Sequence, residues 1–426
     1  MIIKSSFDAV ERSIFSKGFL RPRHADWCFS RIPDTLRSLL LERQSQLIPL
    51  PKEALVGDGI KFKKVLFIFV DGLGWRFFEE TLAEHPLFRR FNNQGHVVKL
   101  TSQFPSTTVV HVASMTTGLN VDQAALIDWF YYEPNIGEVI APLLFSFAGD
   151  RSPDTLVREG FDPYLGFPRS SLSTEFASQG VKTYAYQNRS YTPSTFSKAT
   201  MPHAKLIPFD TVSDGIDHML SRIGREERAF HYLYIDTVDR ISHLHGPSDP
   251  VSQTESRSIM TLLEKKIFSA ANASLKDVLV VLTADHGSVD ICAEDTIYLN
   301  TIWPQLGSLL KENRRGGAIV PSGCEGRNMF LHVKPEFLSE VRLKLETLLE
   351  GRAEVLSISE MASDGFFGLG PPSIRFLERA GDLVILPYEG ESVWWYEKDK
   401  FEIRHRGNHG GLTRKEMEIP LLSAIL

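Results

Sequence analysis

The fold of this chain is decided by the stretch KVLFIFVDGLG at residues 64–74. Its six apolar residues, 65–70, show no polar alternation, which is typical of a short strand buried on both faces of a parallel sheet. Parallel sheets place their ligand sites at the carboxyl ends of the strands, and Asp71 follows the run directly. We therefore predict a central strand that carries a carboxylate to the functional edge of a sheet.

Two further apolar runs end in the same way. Residues 230–235 are followed by Asp236 and Asp239, and residues 278–282 lead into Asp285. A single Asp after a strand is more often a helix cap or a turn residue than a functional group. Because three strands deliver acidic groups to one edge, the repetition favours a functional site.

The composition is that of a large globular protein without a strong overall field. The chain has 426 residues, of which 42% are hydrophobic and 23% charged, and its formal net charge is -6. This balance favours neither a nucleic-acid polymer nor an anionic membrane surface as a partner, so local cations must hold any anionic substrate. The three cysteines are Cys28, Cys292 and Cys324, and their wide spacing indicates neither a disulfide framework nor a cysteine zinc site.

The sequence also predicts a location. Residues 1–4 do not lead into a continuous apolar signal segment, and no stretch approaches the roughly 18 apolar residues of a membrane span. Together with reduced cysteines, this pattern predicts a cytoplasmic protein without a membrane span.

The order of predicted helices and strands divides the chain into three parts. Residues 1–56 are predicted to be an N-terminal helical extension, with leucines at helical spacing up to Pro49 and Pro51. Residues 57–426 form the main domain, which begins with alternating strands and helices. That rhythm is lost at about 288–400, where we predict a smaller inserted, cap-like subdomain.

Other segments have weaker signals. Further strands are predicted at 96–100, 182–186, 329–333 and 419–422, and further helices at 76–83, from about 171, at 253–271 and at 335–349. The aromatic-rich residues 128–147 are predicted to be irregular, either lining a cleft or packing as a loop.

Three consecutive hydroxyl residues, Ser106, Thr107 and Thr108, precede a helix that Gly118 ends. Hydroxyl residues at that position are helix caps by default. The same position offers free N–H groups and the positive end of the helix dipole, so it also suits a nucleophile that attacks a phosphate.

Six residues have the chemistry and placement of metal ligands. Asp239 and His243 are four apart, so they face the same way on a helix, and His409 lies in a glycine loop. With Asp71, Asp285 and His286 they make three carboxylates and three imidazoles, enough for two sites of mixed nitrogen and oxygen ligation. Any one of these histidines alone would more often be a core or solvated residue.

Asp236 is seven residues from His243 and is predicted to cap the turn.

The ordered set of motifs resembles the alkaline phosphatase superfamily, and most closely its nucleotide pyrophosphatase/phosphodiesterase-like branch. The motifs are residues 65–72, residues 104–108 running on to 117–119, Asp239 with His243, residues 283–287 and residues 408–411. Each is weak alone, but together they span most of the chain in the family's order.

The resemblance implies an α/β fold, with an alkaline-phosphatase-like core, a mainly parallel sheet flanked by helices and a two-metal centre. Asp71, the nucleophile, Asp285 and His286 would surround one ion, and Asp239, His243 and His409 the other. Zinc is the expected metal, with manganese as the alternative. In the family a Ser or Thr attacks phosphorus in line, and water hydrolyses the resulting phosphoenzyme.

The nucleophile is predicted to be Thr108. In the superfamily it opens a helix that ends in a Thr-Gly pair, most often ten residues before the glycine, and counting back from Gly118 gives Thr108. A hydroxyl at the helix start also lies closest to the free N–H groups. Thr107 would be the cap, and it is the alternative nucleophile.

The chain departs from better-known members of the branch at the oxyanion donor. Those members have an Asn about twenty residues after the nucleophile and a preceding His-Gly pair, whereas this chain has Trp129 and Ala124-Ala125 at the corresponding positions. His111 and a backbone N–H near Thr108 are the remaining candidates.

The predicted function is hydrolysis of a small phosphate ester, preferably a nucleotide-type phosphodiester or pyrophosphate. A phosphomonoesterase or a phosphoglycerate-mutase-like phosphoryl transferase is the alternative, but it would need a closed, strongly basic pocket, for which Arg314 and Arg315 are the only notable pair. A metal-stabilised interaction module without turnover is the alternative from another class.

Overall fold

A seven-stranded sheet forms the centre of the structure, a computed structural model that describes residues 1–42, 46–57, 60–81, 84–268, 275 and 277–426. The strands in chain order are β1 Ile14–Phe15, β2 Phe19–Leu20, β3 Lys64–Val70, β4 Gly95–Thr101, β5 Tyr131–Glu133, β6 Glu138–Ala141, β7 Ser146–Phe147, β8 Lys182–Asn188, β9 Ala204–Phe209, β10 Ala229–Ile235, β11 Val278–Thr283, β12 Val289–Asp290, β13 Ile297–Tyr298, β14 Ser322–Cys324, β15 Asn328–Leu331, β16 Ala353–Ser357, β17 Leu383–Pro387, β18 Val393–Trp394, β19 Gly407–Asn408 and β20 Glu418–Ile425.

The α-helices are α1 Lys4–Glu11, α2 Ile32–Leu40, α3 Trp75–Thr81, α4 Pro86–Gln94, α5 Thr108–Thr117, α6 Val121–Ala124, α7 Thr155–Arg158, α8 Pro163–Gly166, α9 Leu172–Ser178, α10 Thr195–Thr200, α11 Val212–Ile223, α12 Thr237–His245, α13 Pro250–Ile267, α14 Leu299–Ile302, α15 Leu306–Leu309, α16 Leu338–Leu348, α17 Ile358–Ser363, α18 Ile374–Ala380 and α19 Arg414–Met417. Among the described residues, no helix combines the length and the apolar character needed to cross a membrane.

The central sheet has the order β4-β20-β11-β3-β10-β8-β9. The five strands from β11 to β9 are parallel, while β20 runs antiparallel to both of its neighbours. Helices α4, α11 and α13 pack together in one layer, and α2, α9 and α10 pack around α5 in another. The predicted α/β fold with a mainly parallel sheet flanked by helices is confirmed.

The register of the parallel strands explains why the acidic residues meet. Val70 at the end of β3 pairs with Ile235 at the end of β10, and Phe69 pairs with Thr283 at the end of β11. The chain segments that follow these three strands therefore leave the sheet at the same edge. The Asp71 N–H donates to the Ile235 carbonyl oxygen at 2.9 Å and extends the pairing one residue farther.

The predicted strands of the central sheet are found with small shifts in their ends. Two of the predicted helices reach beyond the described part of the chain. Residues 82–83, at the end of the helix predicted at 76–83, and residues 269–271, at the end of the one predicted at 253–271, lie outside the described residues.

The N-terminal segment contains more than helices. It holds α1, the β1–β2 ribbon and α2, and α2 ends at Leu40, because Leu41 is extended and buried rather than helical. The continuous helix predicted up to Pro49 is therefore wrong. The segment lies against the main sheet, since the Ile3 N–H donates to the Val97 carbonyl oxygen at 3.0 Å. The domain boundary at residue 56 stays a prediction.

A smaller antiparallel sheet, β14-β15-β17-β16, lies within the range predicted as an insert. Its apolar core also includes Phe130, Val139 and Ala141, which belong to the segment predicted to be irregular. That segment instead forms the antiparallel sheet β5-β6-β7, and Phe130 pairs with Gly323. The smaller unit thus combines two parts of the chain, and its limits at about 288–400 stay a prediction.

A buried ion pair joins the smaller sheet to the C-terminal segment. Arg327 donates from Nε and Nη2 to the two carboxylate oxygens of Glu416 at 2.9 and 3.0 Å, and both side chains are fully buried. The guanidinium also donates to the carbonyl oxygens of Pro387, Tyr388 and Glu391. All of its N–H groups therefore face acceptors within the fold.

Replacing Arg327 by Met should lower the free energy of unfolding by about 3–5 kcal/mol, because the Glu416 carboxylate would stay buried without a countercharge. Arg404→Met is the matched control, since the Arg404 side chain is 69% exposed and pairs with Glu402 at the surface; it should cost under about 1 kcal/mol. Chemical denaturation measures both. Equal, small losses in the two variants would contradict a structural role for the buried pair.

Candidate active site

Three carboxylates meet at the edge where the parallel strands end. Asp71 follows β3 directly, Asp285 lies two residues after β11, and Asp239 is in the first turn of α12. Backbone hydrogen bonds join the three segments: the Gly72 N–H donates to Asp285 Oδ1 at 3.0 Å, and the Asp239 N–H donates to the Asp71 carbonyl oxygen at 3.1 Å. Asp71 and Asp285 are buried.

Gly72 allows α12 to approach this edge. Its φ is +74°, and a Cβ placed there would lie 2.9 Å from Cα and Cβ of Asp239. Both the left-handed backbone and the close contact require glycine. The glycine after the Asp71 strand is therefore part of what brings Asp239 to the site.

Three imidazoles surround the carboxylates, and each donates from Nδ1 to a backbone carbonyl oxygen. The three bonds are His243 to Gly407 at 2.9 Å, His286 to Gly287 at 3.1 Å and His409 to Ser106 at 2.9 Å. A carbonyl acceptor places the proton of a neutral imidazole on Nδ1 and leaves the lone pair on Nε2. The backbone thus sets both the tautomer and the orientation of each ring.

The Nε2 atoms point at the carboxylates. The nitrogen-to-oxygen distances are 3.3 Å from His286 to Asp71, 3.4 Å from His286 to Asp285, 3.2 Å from His243 to Asp239 and 3.6 Å from His409 to Asp239. Two adjoining groups result. We call Asp71, Asp285 and His286 the first group, and Asp239, His243 and His409 the second group.

The two groups are contiguous. The rings of His286 and His409 stack with their centroids 3.5 Å apart. One ligand atom from each of Asp71, Asp285 and His286 lies within 4.8 Å of the others, and the same holds for Asp239, His286 and His409. The structure therefore brings together all six residues that the sequence singled out as metal ligands.

The protein alone does not balance the charge of these groups. Burial and the charges of Asp285 and Asp239 raise the pKa of Asp71 well above its usual value, and burial raises the pKa of Asp285 to about 7. Burial lowers the pKa of His286 well below its usual value and that of His409 to about 4, so these imidazoles are neutral. Buried carboxylates surrounded by neutral imidazoles favour an added cation.

In the second group, a proton on an imidazole balances the charge of the carboxylate. Burial would lower the pKa of His243, but the charge and hydrogen bond of Asp239 raise it to about 9. Conversely, burial would raise the pKa of Asp239, and the charge of His243 lowers it. A proton on His243 thus supplies positive charge that a bound cation would otherwise supply.

The donor set fits divalent cations. Asp285 Oδ2 in the first group and Asp239 Oδ1 in the second are buried, and neither has a hydrogen-bond partner among the described residues. With the Nε2 lone pairs they give each group imidazole nitrogen and carboxylate oxygen donors, a combination that suits zinc and admits manganese. Each group could hold one such ion.

Thr108 is the first residue of α5 and faces the first group. Its hydroxyl Oγ1 lies 3.4 Å from both carboxylate oxygens of Asp71 and 3.3 Å from His286 Nε2. The neighbouring Ser106 donates its hydroxyl to the Gly411 carbonyl oxygen at 2.7 Å and is buried. Thr107 occupies the residue before the helix, but its side chain makes no capping hydrogen bond.

Asp236 follows β10 directly, as predicted, but its carboxylate does not cap the turn. It precedes α12, but its side chain makes no capping hydrogen bond. Its carboxylate lies near Tyr191 and Arg240. The predicted capping role is wrong, because the backbone of Asp236 is already close to helical, with φ -89° and ψ -5°.

A cavity of about 570 Å³ opens onto Thr108 and the second group. It is lined by Thr107, Thr108, Trp129, Asp239, Arg240, His243, Leu244, Cys324, Glu325, His405, Asn408 and His409. A larger cavity of about 710 Å³ beside Phe147 and Trp395 includes none of the six ligand-type residues. The smaller cavity is therefore the candidate substrate site.

Two sequence-based candidates are not available to a substrate. His111 is buried, donates from Nδ1 to the Thr107 carbonyl oxygen at 2.7 Å and accepts the Gln103 N–H at Nε2 at 3.0 Å, so it is not an oxyanion donor. Arg315 pairs with Glu138 and lines the larger cavity. Neither Arg314 nor Arg315 lines the candidate substrate cavity, so this pair does not form there the basic pocket that a dianionic monoester would need.

One contact at the site had no signal in the sequence. The Tyr234 hydroxyl donates to Asp71 Oδ2, within the buried interior. Tyr234 lies inside an apolar run, where its aromatic ring predicts only packing. Its partnership with Asp71 depends on the pairing of β10 with β3, which spacing along one segment does not reveal.

Comparison with known proteins relates most of the chain to one protein family. Residues 65–412 match the family model described as type I phosphodiesterase / nucleotide pyrophosphatase. No curated protein matches the chain.

Several solved structures are similar to this one. Murine ectonucleotide pyrophosphatase / phosphodiesterase 5 has 17% identity and a TM-score of 0.63, and the match covers 84% of this chain and 87% of that one. The human protein of the same name has 17% identity and a TM-score of 0.63, over 85% and 87%. Phosphonoacetate hydrolase from Sinorhizobium meliloti 1021 has 16% identity and a TM-score of 0.59, over 85% and 90%. The murine protein was also solved as an inactive Thr-to-Ala variant in complex with AMP.

The Asp239→Asn variant should bind one zinc ion fewer per chain than the unchanged protein, because the amide removes the charged oxygen donor that faces both imidazoles of the second group. Asp236→Asn is the matched control and should bind as many ions as the unchanged protein. Elemental analysis after zinc reconstitution and desalting measures the stoichiometry. Loss of an ion in Asp236→Asn with full binding in Asp239→Asn would reverse the assignment.

Proposed function

The chain belongs to the type I phosphodiesterase / nucleotide pyrophosphatase family, a family of hydrolases, and from that premise we propose that it cleaves a phosphodiester or pyrophosphate bond in a small nucleotide-type substrate, with Thr108 as nucleophile. Membership confirms the resemblance to the alkaline phosphatase superfamily. The observation that carries the proposal is the position of Thr108 Oγ1, which lies against Asp71 and His286 at the start of a helix and faces the cavity.

Two divalent ions belong to this proposal, with zinc preferred and manganese as the alternative. Asp71, Asp285, His286 and Thr108 would hold one, and Asp239, His243 and His409 the other. Bound ions would lower the pKa of the nucleophile hydroxyl and neutralise charge on the attacking and leaving oxygens. Buried carboxylate oxygens without partners in both groups support this assignment.

The proposed reaction has two steps, and Thr108 takes part in both. Thr108 Oγ1 forms a bond to phosphorus and releases its proton to solvent, while the bond from phosphorus to the leaving oxygen breaks and that oxygen keeps the electron pair. Water then forms a bond to the same phosphorus while the bond from phosphorus to Thr108 Oγ1 breaks, and Oγ1 takes up a proton from solvent as the product leaves. The free N–H groups at the start of α5 favour the anionic phosphoryl group.

The cavity favours a diester or pyrophosphate over a monoester. Arg240 is the arginine that lines it, and Trp129 and the 56% exposed Leu244 add apolar surface. A monoester dianion would call for a more basic enclosure, whereas an organic group on each side of phosphorus can use the apolar lining. The AMP bound to the murine relative supports a nucleotide as the substrate of this chain.

Two other parts of the prediction remain proposals. A cytoplasmic location is supported by three cysteines that form no disulfide in the structure. An interaction module without turnover is disfavoured, because it would have no need for a hydroxyl at a helix N-terminus beside the first group.

Bis(p-nitrophenyl) phosphate should be turned over faster than p-nitrophenyl phosphate in the presence of zinc or manganese, and the Thr108→Ala variant should lose several orders of magnitude of turnover. Loss of a covalent nucleophile has that effect, while the fold and the metal content should stay largely intact. Release of p-nitrophenol measures turnover, and elemental analysis measures the metal.

Thr116→Ala, at the far end of the same helix, is the matched control and should retain most of the turnover. Normal turnover of Thr108→Ala with an inactive Thr107→Ala would move the nucleophile by one residue. Normal turnover in both single variants and in the double variant would overturn the covalent mechanism, and a clear preference for the monoester would overturn the substrate class.

A further inference from the structure

The proposed chemistry needs a group that stabilises the non-bridging phosphoryl oxygens. Charge on these oxygens changes as Thr108 attacks, and a fixed hydrogen-bond donor aimed at them is worth more in a cavity than in water. His111 is occupied on both ring nitrogens. The amide of Asn408 is held in place, because one N–H of Nδ2 donates to the Glu325 carbonyl oxygen and Oδ1 accepts the His409 N–H. Besides the free N–H groups at the start of α5, a further donor is therefore sought in the rest of the cavity lining.

Thr107 has the required position. It is adjacent to Thr108, lines the cavity and has an extended backbone, with φ -131° and ψ 148°. Its carbonyl oxygen accepts from His111 Nδ1 at 2.7 Å, and its N–H donates to the Pro105 carbonyl oxygen at 2.9 Å. The backbone is therefore held at both ends, while the hydroxyl makes no capping bond and lies beside Asp128 and the Cys324 thiol.

A buried carboxyl group lies behind Thr107. Asp128 is fully buried and accepts the Trp129 N–H at Oδ1 at 2.7 Å, whereas Oδ2 has no hydrogen-bond partner among the described residues. The side chains of Thr107 and Asn328 lie beside the carboxyl group, without the geometry of a hydrogen bond to Oδ2. Catalytic hydrogen bonds are often long in a resting enzyme and shorten when substrate is bound.

The surroundings of Asp128 favour its neutral form. No lysine or arginine among the described residues forms an ion pair with it, and the neighbouring Cys324 is a buried thiol whose pKa burial and nearby carboxylates raise. Burial raises the pKa of Asp128 to about 7, although the Trp129 N–H and the side chains of Asn328 and Thr107 lower it. A buried carboxyl group without a countercharge is held more easily as an acid.

We propose that the Thr107 hydroxyl donates a hydrogen bond to a non-bridging phosphoryl oxygen, and that Asp128, as a carboxylic acid, donates from Oδ2 to Thr107 Oγ1. This inference rests on the proposed function. Thr107 is then a catalytic residue, because it touches the reacting group, and Asp128 is a positioning residue that acts through it.

The protonation state of Asp128 decides the direction of the Thr107 hydrogen. A hydroxyl has one hydrogen, and an ionised Asp128 would take it as an acceptor and turn it away from the substrate. A protonated Asp128 donates to the hydroxyl oxygen and leaves the hydrogen for the phosphoryl group. The support from Asp128 is therefore present below its pKa of about 7 and is lost as the pH rises through that value.

The test uses the full-length, zinc-loaded protein with bis(p-nitrophenyl) phosphate. Thr107→Val is nearly isosteric and removes the donor, so kcat should fall about 100- to 1,000-fold with a small change in KM. Thr107→Ser keeps the hydroxyl and should restore most of kcat. Binding of orthovanadate, a mimic of the five-coordinate phosphoryl group, should weaken in Thr107→Val and recover in Thr107→Ser, which gives a readout independent of turnover.

Asp128→Asn tests the positioning role, because the amide N–H₂ donates at every pH. The ratio of Asp128→Asn to unchanged activity should rise between pH 6 and pH 9, whereas Asp128→Ala should lose activity at every pH. A pH-independent ratio, or equal losses in Asn and Ala variants of normal thermal stability and zinc content, would overturn the role of Asp128.

A normal kcat in Thr107→Val would overturn the role of Thr107. That failure is distinguishable from failure of the proposed function, which would show as normal turnover in Thr108→Ala or no turnover by the unchanged protein. Mass spectrometry of quenched Thr107→Val should still find a p-nitrophenyl phosphoryl group on Thr108. Its absence there, with that group on Thr107 in the unchanged protein, would make Thr107 the nucleophile instead.

Discussion

The mutual repulsion of Asp71, Asp239 and Asp285 is the constraint on which the rest of the site depends. Their placement at one sheet edge raises the free energy of the charged forms of Asp71 and Asp285, and the neutral imidazoles of His286 and His409 do not offset it. The charge of Asp239 is offset by a proton on His243. A protein retains such a cluster when something else compensates the charge. Cations are the compensation that fits the available donor atoms, and a hydroxyl placed beside them becomes a better nucleophile.

Rigid backbone contacts hold this arrangement. The parallel register of β3, β10 and β11 fixes where two of the carboxylates emerge, and Gly72 lets α12 bring the third. The imidazoles are held by main-chain carbonyls, which do not titrate and do not rotate. The Ser106 carbonyl orients the His409 ring, and Ser106 also donates to the Gly411 carbonyl, so the segment that precedes Thr108 and the loop that carries His409 support each other.

The sequence predicted the parts of this protein that depend on local pattern. Short apolar runs ending in Asp identified the sheet and its functional edge, and the four-residue spacing of Asp239 and His243 placed them on one face of α12. The sequence pattern could not predict contacts between distant segments. The hydrogen bond from Tyr234 to Asp71 and the pairing of Phe130 with Gly323 require the tertiary fold. Asp236 was misjudged because sequence position does not give the backbone angles of the residue before a helix.

Anomalous diffraction from crystals of the zinc-loaded protein, measured on both sides of the zinc absorption edge, tests the central claim most directly. The account predicts two peaks per chain, one bounded by Asp71, Asp285 and His286 and the other by Asp239, His243 and His409, with the Thr108 hydroxyl beside the first. A single peak between the groups, or zinc bound only elsewhere on the chain, would contradict it.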